Sequence, residues 1–162
     1  MKPIFAELLK GIVICKENGQ YLMDLILDSE INPVLLSSFV GALSMFGKGN
    51  LGKIEEILIK GLDVDMIVVK KHHLLLIAII GHEFSQGDIR SEAEKALDMF
   101  YNLYKNEIDG CLNVARFSSF KKLLKSQILD YLENLVENSK KERDDGDFGF
   151  FTEAIRKMKD HQ

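Results

Sequence analysis

Three of the four histidines stand close together in the chain, at positions 72, 73 and 82. Histidine and carboxylate side chains hold zinc when three or four of them converge, and Glu83 is the acidic residue beside His82. No further Cys or His stands at the ligand spacing of a closed metal site around them. We therefore expect a turn at His72-His73, a loop at His82 and no bound metal.

The serines and acidic residues show none of the spacings that nucleophilic or phosphate chemistry requires. The chain lacks a G-x-S-x-G elbow, a P-loop and a G-x-G-x-x-G turn. Residues 47–52 (GKGNLG) are rich in glycine, but they follow a predicted helix, whereas a phosphate-binding loop precedes one. We interpret them as a helix stop, and we expect a protein that is not an enzyme, with no catalytic residue and no cofactor.

The composition indicates one domain with a substantial core. The chain has 162 residues, of which 46% are hydrophobic and 28% are charged. A net charge of −4 disfavours nucleic-acid binding, which normally needs a basic patch. Cys15 and Cys111 lack a Cys-x-x-Cys partner, so we expect buried thiols in a reducing compartment rather than a disulfide. No signal peptide or spanning segment is recognisable, and we expect a cytoplasmic protein.

The segment 33–47 (PVLLSSFVGALSMFG) carries no charge. Asn32 suits an N-cap and Pro33 the first helical position, so the segment is predicted to be a helix. We expect this helix to bury a stripe of large apolar residues, namely Leu36, Phe39, Val40, Leu43 and Phe46. The opposite face then carries Ser37, Gly41, Ser44 and Lys48, flanked by Val34, Ser38 and Met45.

The absence of charge indicates that water reaches neither side of this helix. A helix on the surface of a domain normally has one charged face. We therefore predict that the small-residue face binds a partner, because small side chains allow close approach of another backbone. Burial under another part of the same chain is the alternative. If the face binds a partner, Gly41→Arg is expected to lower the oligomeric state of a protein that still folds.

The remaining patterns predict an α+β domain. Asn18-Gly19 between two apolar runs indicates a hairpin of strands 11–16 and 21–27. Further strands are expected at 53–60, 65–71 and 74–80, and helices from Asp88 and from about residue 118. The order β-β-α-β-β-β-α-α predicts a five-stranded, mainly antiparallel sheet with one helix on one face and two on the other. The run LLLIAII at 74–80 is apolar throughout, as in a central strand.

The predicted strand 53–60 lies at a sheet edge, where unpaired backbone groups invite another strand. Lys53, Glu55, Glu56 and Lys60 either protect this edge or frame a sheet that continues across a dimer. We include Lys53, Glu55 and Ile57 of this strand in the predicted partner interface.

The C-terminal residues differ in character from the domain predicted at 1–138. Residues 139–147 form a charged linker, and residues 148–162 form an amphipathic segment. In a helix, Phe150, Phe151, Ile155 and Met158 share one face. The segment either packs on its own domain, serves as a helical ligand for a partner or a second copy, or rests on a membrane surface beside Arg156, Lys157 and Lys159.

The order and spacing of these elements resemble the longin fold, a relative of the roadblock domain. The resemblance covers residues 9–138 and is carried by the opening hairpin (GIVICKENGQYLMDLIL), the first helix (NPVLLSSFVGALSMFGK) and the three-strand meander (IEEILIKGLDVDMIVVKKHHLLLIAII). These segments are similar to archaeal longin-like proteins. The residues before the first strand are too short for the extra helix with which roadblock domains usually begin, which favours longin.

The resemblance implies a non-catalytic module that pairs with itself or with a related longin or roadblock domain. It also implies a role as regulator or scaffold of a small GTPase, with indirect contact to a membrane. A vesicle-trafficking adaptor that binds a helical segment, including its own tail, is the first alternative. A small-molecule sensor with a ligand between sheet and helix is the second, and Cys15 and Asp24 are the polar groups that hint at it.

Overall fold

The computed structural model describes residues 9–27, 30–50, 56–61, 64–81, 89–108 and 114–142. At positions 114, 132 and 134–142 it describes the backbone only. The strands are β1 (Leu9–Lys16), β2 (Tyr21–Ile26), β3 (Glu56–Lys60), β4 (Val64–Lys71) and β5 (Leu74–Gly81). The helices are α1 (Pro33–Asn50), α2 (Ile89–Ile108) and α3 (Phe120–Glu142), with a short 3-10 turn at Val114–Phe117.

The strands form one sheet in the order β2-β1-β5-β4-β3, and every neighbouring pair is antiparallel. The predicted α+β class and five-stranded antiparallel sheet are therefore confirmed. β5 lies at the centre between β1 and β4, which explains its unbroken apolar run. β3 forms one edge, as predicted, and β2 forms the other.

Two separate cores cover the faces of this sheet. The larger core joins the sheet to α2 and α3, and within it the ring of Phe100 packs against the rings of Phe117 and Phe120. The smaller core lies under α1 and contains buried residues of β1, α1, β4 and β5, which are Val13, Cys15, Val40, Val68, Leu75 and Ile77. One helix thus covers one face and two helices cover the other, as predicted.

One predicted helix end is wrong. α1 continues through Gly47 and Gly49 to Asn50, whose side-chain nitrogen donates a 2.8 Å hydrogen bond to the carbonyl of Phe46. Glycine lowers helix propensity without forbidding a helix, and here the helix continues. α3 extends to Glu142, so it includes residues 139–142 of the predicted charged linker; residues 143–147 lie outside the described residues.

Candidate partner interface

α1 begins where the sequence predicted it. The side-chain oxygen of Asn32 accepts hydrogen bonds from the backbone nitrogens of Val34 (3.0 Å) and Leu35 (3.1 Å). These contacts satisfy two of the amides that a helix start leaves open. The helix then crosses the sheet over β1 and β2.

The small residues of α1 face the sheet, which is opposite to the predicted orientation. Ser37, Gly41 and Ser44 are buried, together with Val40 and Gly47. The backbone of Gly41 lies against the turn between β1 and β2. A Cβ atom on Gly41 would lie 2.8 Å from the carbonyl carbon of Asn18 and closer still to Gly19. Gly19 has a φ of 95°, which a side chain rarely allows, so both glycines are needed for this contact.

This contact corrects the predicted interface at three positions. Ser37, Gly41 and Ser44 lie on the side of α1 that packs against the sheet, so they cannot contact a partner while the domain is folded. Gly41→Arg would therefore disrupt the domain instead of leaving it folded. The physical reason is the close approach of α1 to the hairpin turn, which admits only small side chains between the two backbones.

One of the polar groups on this buried face has a partner within α1. The hydroxyl of Ser37 donates to the carbonyl of Pro33 at 2.7 Å. Burial raises the pKa of Cys15 to about 11. On β2, the hydroxyl of Tyr21 donates to the carboxylate of Asp24, and desolvation together with this bond raises the pKa of Tyr21. Of the two hints of a ligand site, Cys15 is thus packed within the small core and Asp24 is hydrogen-bonded to Tyr21 of the same strand.

Of the five large apolar residues predicted to be buried, Val40 is buried and Leu36 and Leu43 are half-buried, but Phe39 and Phe46 face outward. Phe39 is 54% exposed and Phe46 is 60% exposed, although both were predicted to be buried. Helical periodicity places them on the same side as Val34, Leu35 and Met45, which are also exposed. We call these five residues the outer face of α1. Ser38 and Ala42 lie between them, so this face carries no charge.

The edge strand β3 also exposes apolar side chains. Leu58 is 55% exposed and Ile59 is exposed as well, whereas Ile57 is half-buried against the small core. Glu56 and Lys60 stand at the two ends of the strand. Lys53 and Glu55, which were assigned to the interface, lie outside the described residues.

The predicted interface residues therefore divide into distinct groups. Four of them are exposed on α1, namely Val34, Ser38, Met45 and Lys48, and Ile57 on β3 is half-buried. Four other exposed apolar residues were not included in the predicted interface, namely Leu35, Phe39, Phe46 and Leu58. The pattern Ser37-Gly41-Ser44, with spacings of four and three, is the signal that could have identified the side of α1 that packs closely.

The histidine pair forms the predicted turn, with φ values of 57° for His72 and 60° for His73. His72 Nε2 lies 2.6 Å from Asp98, and the His72 ring stacks on Tyr101 with centroids 4.4 Å apart. His73 Nδ1 lies 3.1 Å from Glu17.

Two lysines complete these contacts. Lys71 pairs with Asp98 at 2.9 Å, and Lys70 pairs with Glu17 at 2.7 Å. These interactions tie the β4–β5 turn to α2 on one side and to the end of β1 on the other. Hydrogen bonds from the lysines are the largest cause that holds the pKa values of Asp98 and Glu17 below their ordinary values. Within the described part of the chain, no three His, Cys, Asp or Glu side chains are grouped so that they could hold a metal ion.

Two further sequence predictions, the loop at His82 and the amphipathic tail, concern residues that the structure does not describe. The tail residues in question are Phe150, Phe151, Ile155 and Met158. Of the helices that the structure describes, none has the length and apolar character needed to cross a membrane.

Comparison with known proteins identifies the fold by structure alone. The sequence matches no protein-family model and no curated protein. The structure is similar to Myxococcus xanthus MglB, with a TM-score of 0.53, 15% identity, and coverage of 65% of this chain and 85% of that one. It is also similar to a Roadblock/LC7 domain from Streptomyces avermitilis, with a TM-score of 0.52, 11% identity, and coverage of 59% and 85%.

A structure described as MglB with tetrameric arrangement gives a TM-score of 0.53 at 12% identity, covering 64% of this chain and 83% of that one. All three similarities lie in backbone arrangement, since so few residues are identical. The chain therefore has a roadblock-like fold, which confirms the predicted longin and roadblock group at the level of fold. The preference for longin over roadblock rested on the residues before β1, which lie outside the described residues.

Proposed function

We propose that this protein is a non-catalytic module that forms a homodimer through the outer face of α1 and the β3 edge, and that the dimer regulates or scaffolds a small GTPase. The observation that carries the dimer is the exposure of Phe39 and Phe46 on a helix with no charge between residues 33 and 47. Contiguous exposed apolar surface of this kind marks interaction sites in soluble proteins.

The β3 edge supports a second copy of the same chain as the partner. A two-fold axis beside Leu58 would pair β3 with its copy in antiparallel register. Glu56 would then stand opposite Lys60 of the partner subunit, and the reverse pair would form at the other end. Opposite charges across an antiparallel pair are favourable, and a two-fold interface must be complementary to itself. The sequence of β3 meets both conditions.

The apolar surface is tested by light scattering on two matched variants. Phe39→Glu is expected to convert a dimer into a monomer, because it places a charge within the buried interface. Leu103→Glu is the control, since Leu103 is exposed to a similar degree, 52% against 54%, but lies on α2 across the sheet. If light scattering shows the parent protein to be monomeric at all accessible concentrations, the homodimer proposal is rejected.

The strand register is tested by cross-linking. Directly opposite residues of an antiparallel pair have Cα atoms about 4.5–5.5 Å apart, within reach of a disulfide. In a Cys111→Ser background, Leu58→Cys should oxidise to a covalent dimer. Leu123→Cys, an exposed position on α3, should remain monomeric on denaturing gels. A dimer in light scattering without the Leu58→Cys cross-link would reject this register.

The small GTPase is proposed from the resemblance of the fold. Because one fold hosts many functions, this partner needs a direct binding test. The protein should be retained by a small GTPase of the same organism loaded with either GTP or GDP. Faster hydrolysis of GTP would identify an activator, faster release of GDP an exchange factor, and binding without either a scaffold. No retention of any GTPase in either state would reject this part while leaving the dimer untouched.

A second candidate function is an adaptor that binds a helical segment on the outer face of α1. The same apolar surface suits an amphipathic helix, and residues 148–162 of this chain have that pattern. Deletion of residues 143–162 distinguishes the two. If the tail occupies the outer face, deletion should increase dimerisation; if a second copy occupies it, deletion should leave the dimer unchanged.

A further inference from the structure

A cavity of about 60 Å³ lies between the sheet and the helices α2 and α3. Its walls are mainly aliphatic and come from β1, β5 and both helices; Glu92, Gln127 and Tyr131 are the lining residues that are not aliphatic. Three of the wall residues are alanines, Ala78 on β5 and Ala93 and Ala96 on α2. The space exists because these small side chains meet where larger ones would fill it.

One edge of the cavity is polar. The side-chain nitrogen of Gln127 donates hydrogen bonds to the carbonyl oxygen of Glu92 at 2.7 Å and to its carboxylate at 2.9 Å. These bonds fix the orientation of the amide. The other end of the amide, Gln127 Oε1, is buried and accepts no hydrogen bond from the residues that the structure describes. A buried acceptor without a donor is unfavourable, so a donor that reaches it would bind there.

We propose that this cavity binds a small uncharged amphiphile, with an aliphatic end between the alanines and a hydroxyl or N–H group that donates to Gln127 Oε1. The volume corresponds to about two water molecules at ~30 Å³ each, so the ligand has room for only about two or three non-hydrogen atoms. The carboxylate of Glu92 beside the amide selects against anionic ligands such as a fatty-acid carboxylate.

The chemistry of the ligand follows from this arrangement. Its apolar part must be short, since the cavity is small. Its polar part must be a donor, because the amide nitrogen is already engaged with Glu92 and only the oxygen is open. A ligand here would bridge α2, α3 and the sheet, a site separate from the outer face of α1. The proposal therefore stands whether or not the protein dimerises.

The test uses ethanol, which has three non-hydrogen atoms, as the probe and the isoleucine methyl signals of the full chain in NMR. Ile12, Ile80, Ile89 and Ile128 line the cavity and should shift saturably, whereas Ile57 and Ile59 on β3 serve as internal controls. Acetate, which is matched to ethanol in chain length but anionic, should bind about five-fold more weakly because of Glu92.

Two kinds of variant assign the binding to this site. Ala93→Val adds about two carbon atoms to the cavity wall and should abolish the saturable shifts. Ala78→Val does the same from β5 if the first variant does not fold. Gln127→Leu keeps the apolar wall but removes the acceptor, and it should weaken ethanol binding about five-fold.

Three outcomes would overturn the proposal. Shifts that grow linearly without saturation would show solvent effects only. Equal binding by the parent and the filled variants would place the probe elsewhere. Binding that appears only after deletion of residues 1–8 would show that those residues occupy the space, which would make the cavity part of the domain's own packing.

Discussion

Gly41 of α1 lies directly against Gly19 in the β1–β2 turn: a Cβ atom on Gly19 would stand 3.4 Å from the Cα of Gly41, and one on Gly41 would overlap the backbone of Gly19. This contact sets the orientation of α1. It turns the small residues of the helix toward the sheet and leaves Phe39 and Phe46 on the outside.

Replacement of Gly41 should therefore destabilise the domain. Gly41→Ala is expected to lower the free energy of unfolding by about 3 kcal/mol, because the atoms that a methyl group meets are backbone and cannot move aside cheaply. Gly49→Ala is the control, since no atom lies within 4 Å of its added Cβ. That change should raise the free energy by about 0.5–1 kcal/mol through helix propensity. Urea unfolding measures both, and equal effects would contradict the close contact.

The two histidines of the β4–β5 turn should respond oppositely to the same substitution. Both have positive φ, which asparagine tolerates better than histidine. His73 is largely exposed, so His73→Asn should leave stability unchanged or raise it slightly. His72→Asn removes the stack on Tyr101 and the contact with Asp98, and it should cost about 1 kcal/mol. A thermal melt that ranks the two variants in the reverse order would show that backbone strain outweighs these contacts.

Acid should weaken the network around this turn. The pKa of Asp98 is held below its ordinary value of 3.8 by hydrogen bonds from Lys71 and His72. A group whose pKa is lower in the folded state stabilises the fold above its unfolded pKa, and this stabilisation is lost as the pH falls through the folded pKa. Asp98→Asn should therefore destabilise at pH 7 and have little effect near pH 2.

The size of this acid effect is limited by solvent. The Asp98 side chain is 40% exposed, so water and salt screen its ion pairs. Urea unfolding of the parent and of Asp98→Asn at the two pH values measures the difference. If the two proteins differ as much in their free energy of unfolding at pH 2 as at pH 7, the charge of Asp98 is not the cause of the difference.

Cys15 should be unreactive while α1 is in place. Burial raises its pKa to about 11, and the thiolate is the reactive form. In a Cys111→Ser background at pH 8, we expect alkylation by iodoacetamide to be about 200-fold slower in the folded protein than in urea, from the smaller thiolate fraction alone. Reaction at similar rates in both conditions would mean that α1 leaves the sheet readily.

Much of the fold was predictable because its signals are local. Asn18-Gly19 specifies a hairpin through the backbone conformations these residues allow, and Asn32-Pro33 specifies a helix start through its hydrogen bonds. The apolar run of β5 predicted a central strand, since both of its faces need cover. Each of these signals depends on neighbours in the chain and keeps its meaning in any tertiary setting.

The face of α1 could not be predicted in the same way. A helix with charges on one side shows which side faces water, but α1 has none, so both of its sides are compatible with burial. The hydrophobic rule favoured Phe39 and Phe46 as the buried residues. The structure buries Ser37, Gly41 and Ser44 instead, because the distance between helix and hairpin turn leaves no room for larger side chains.

The sequence by itself thus determined the elements, their order and the presence of an uncharged helix. Only the tertiary structure decided which side of that helix is free, and that the cavity near Gln127 exists. Both depend on how closely separate elements approach each other. That distance is a property of three-dimensional packing, and no periodicity within a single helix or strand encodes it.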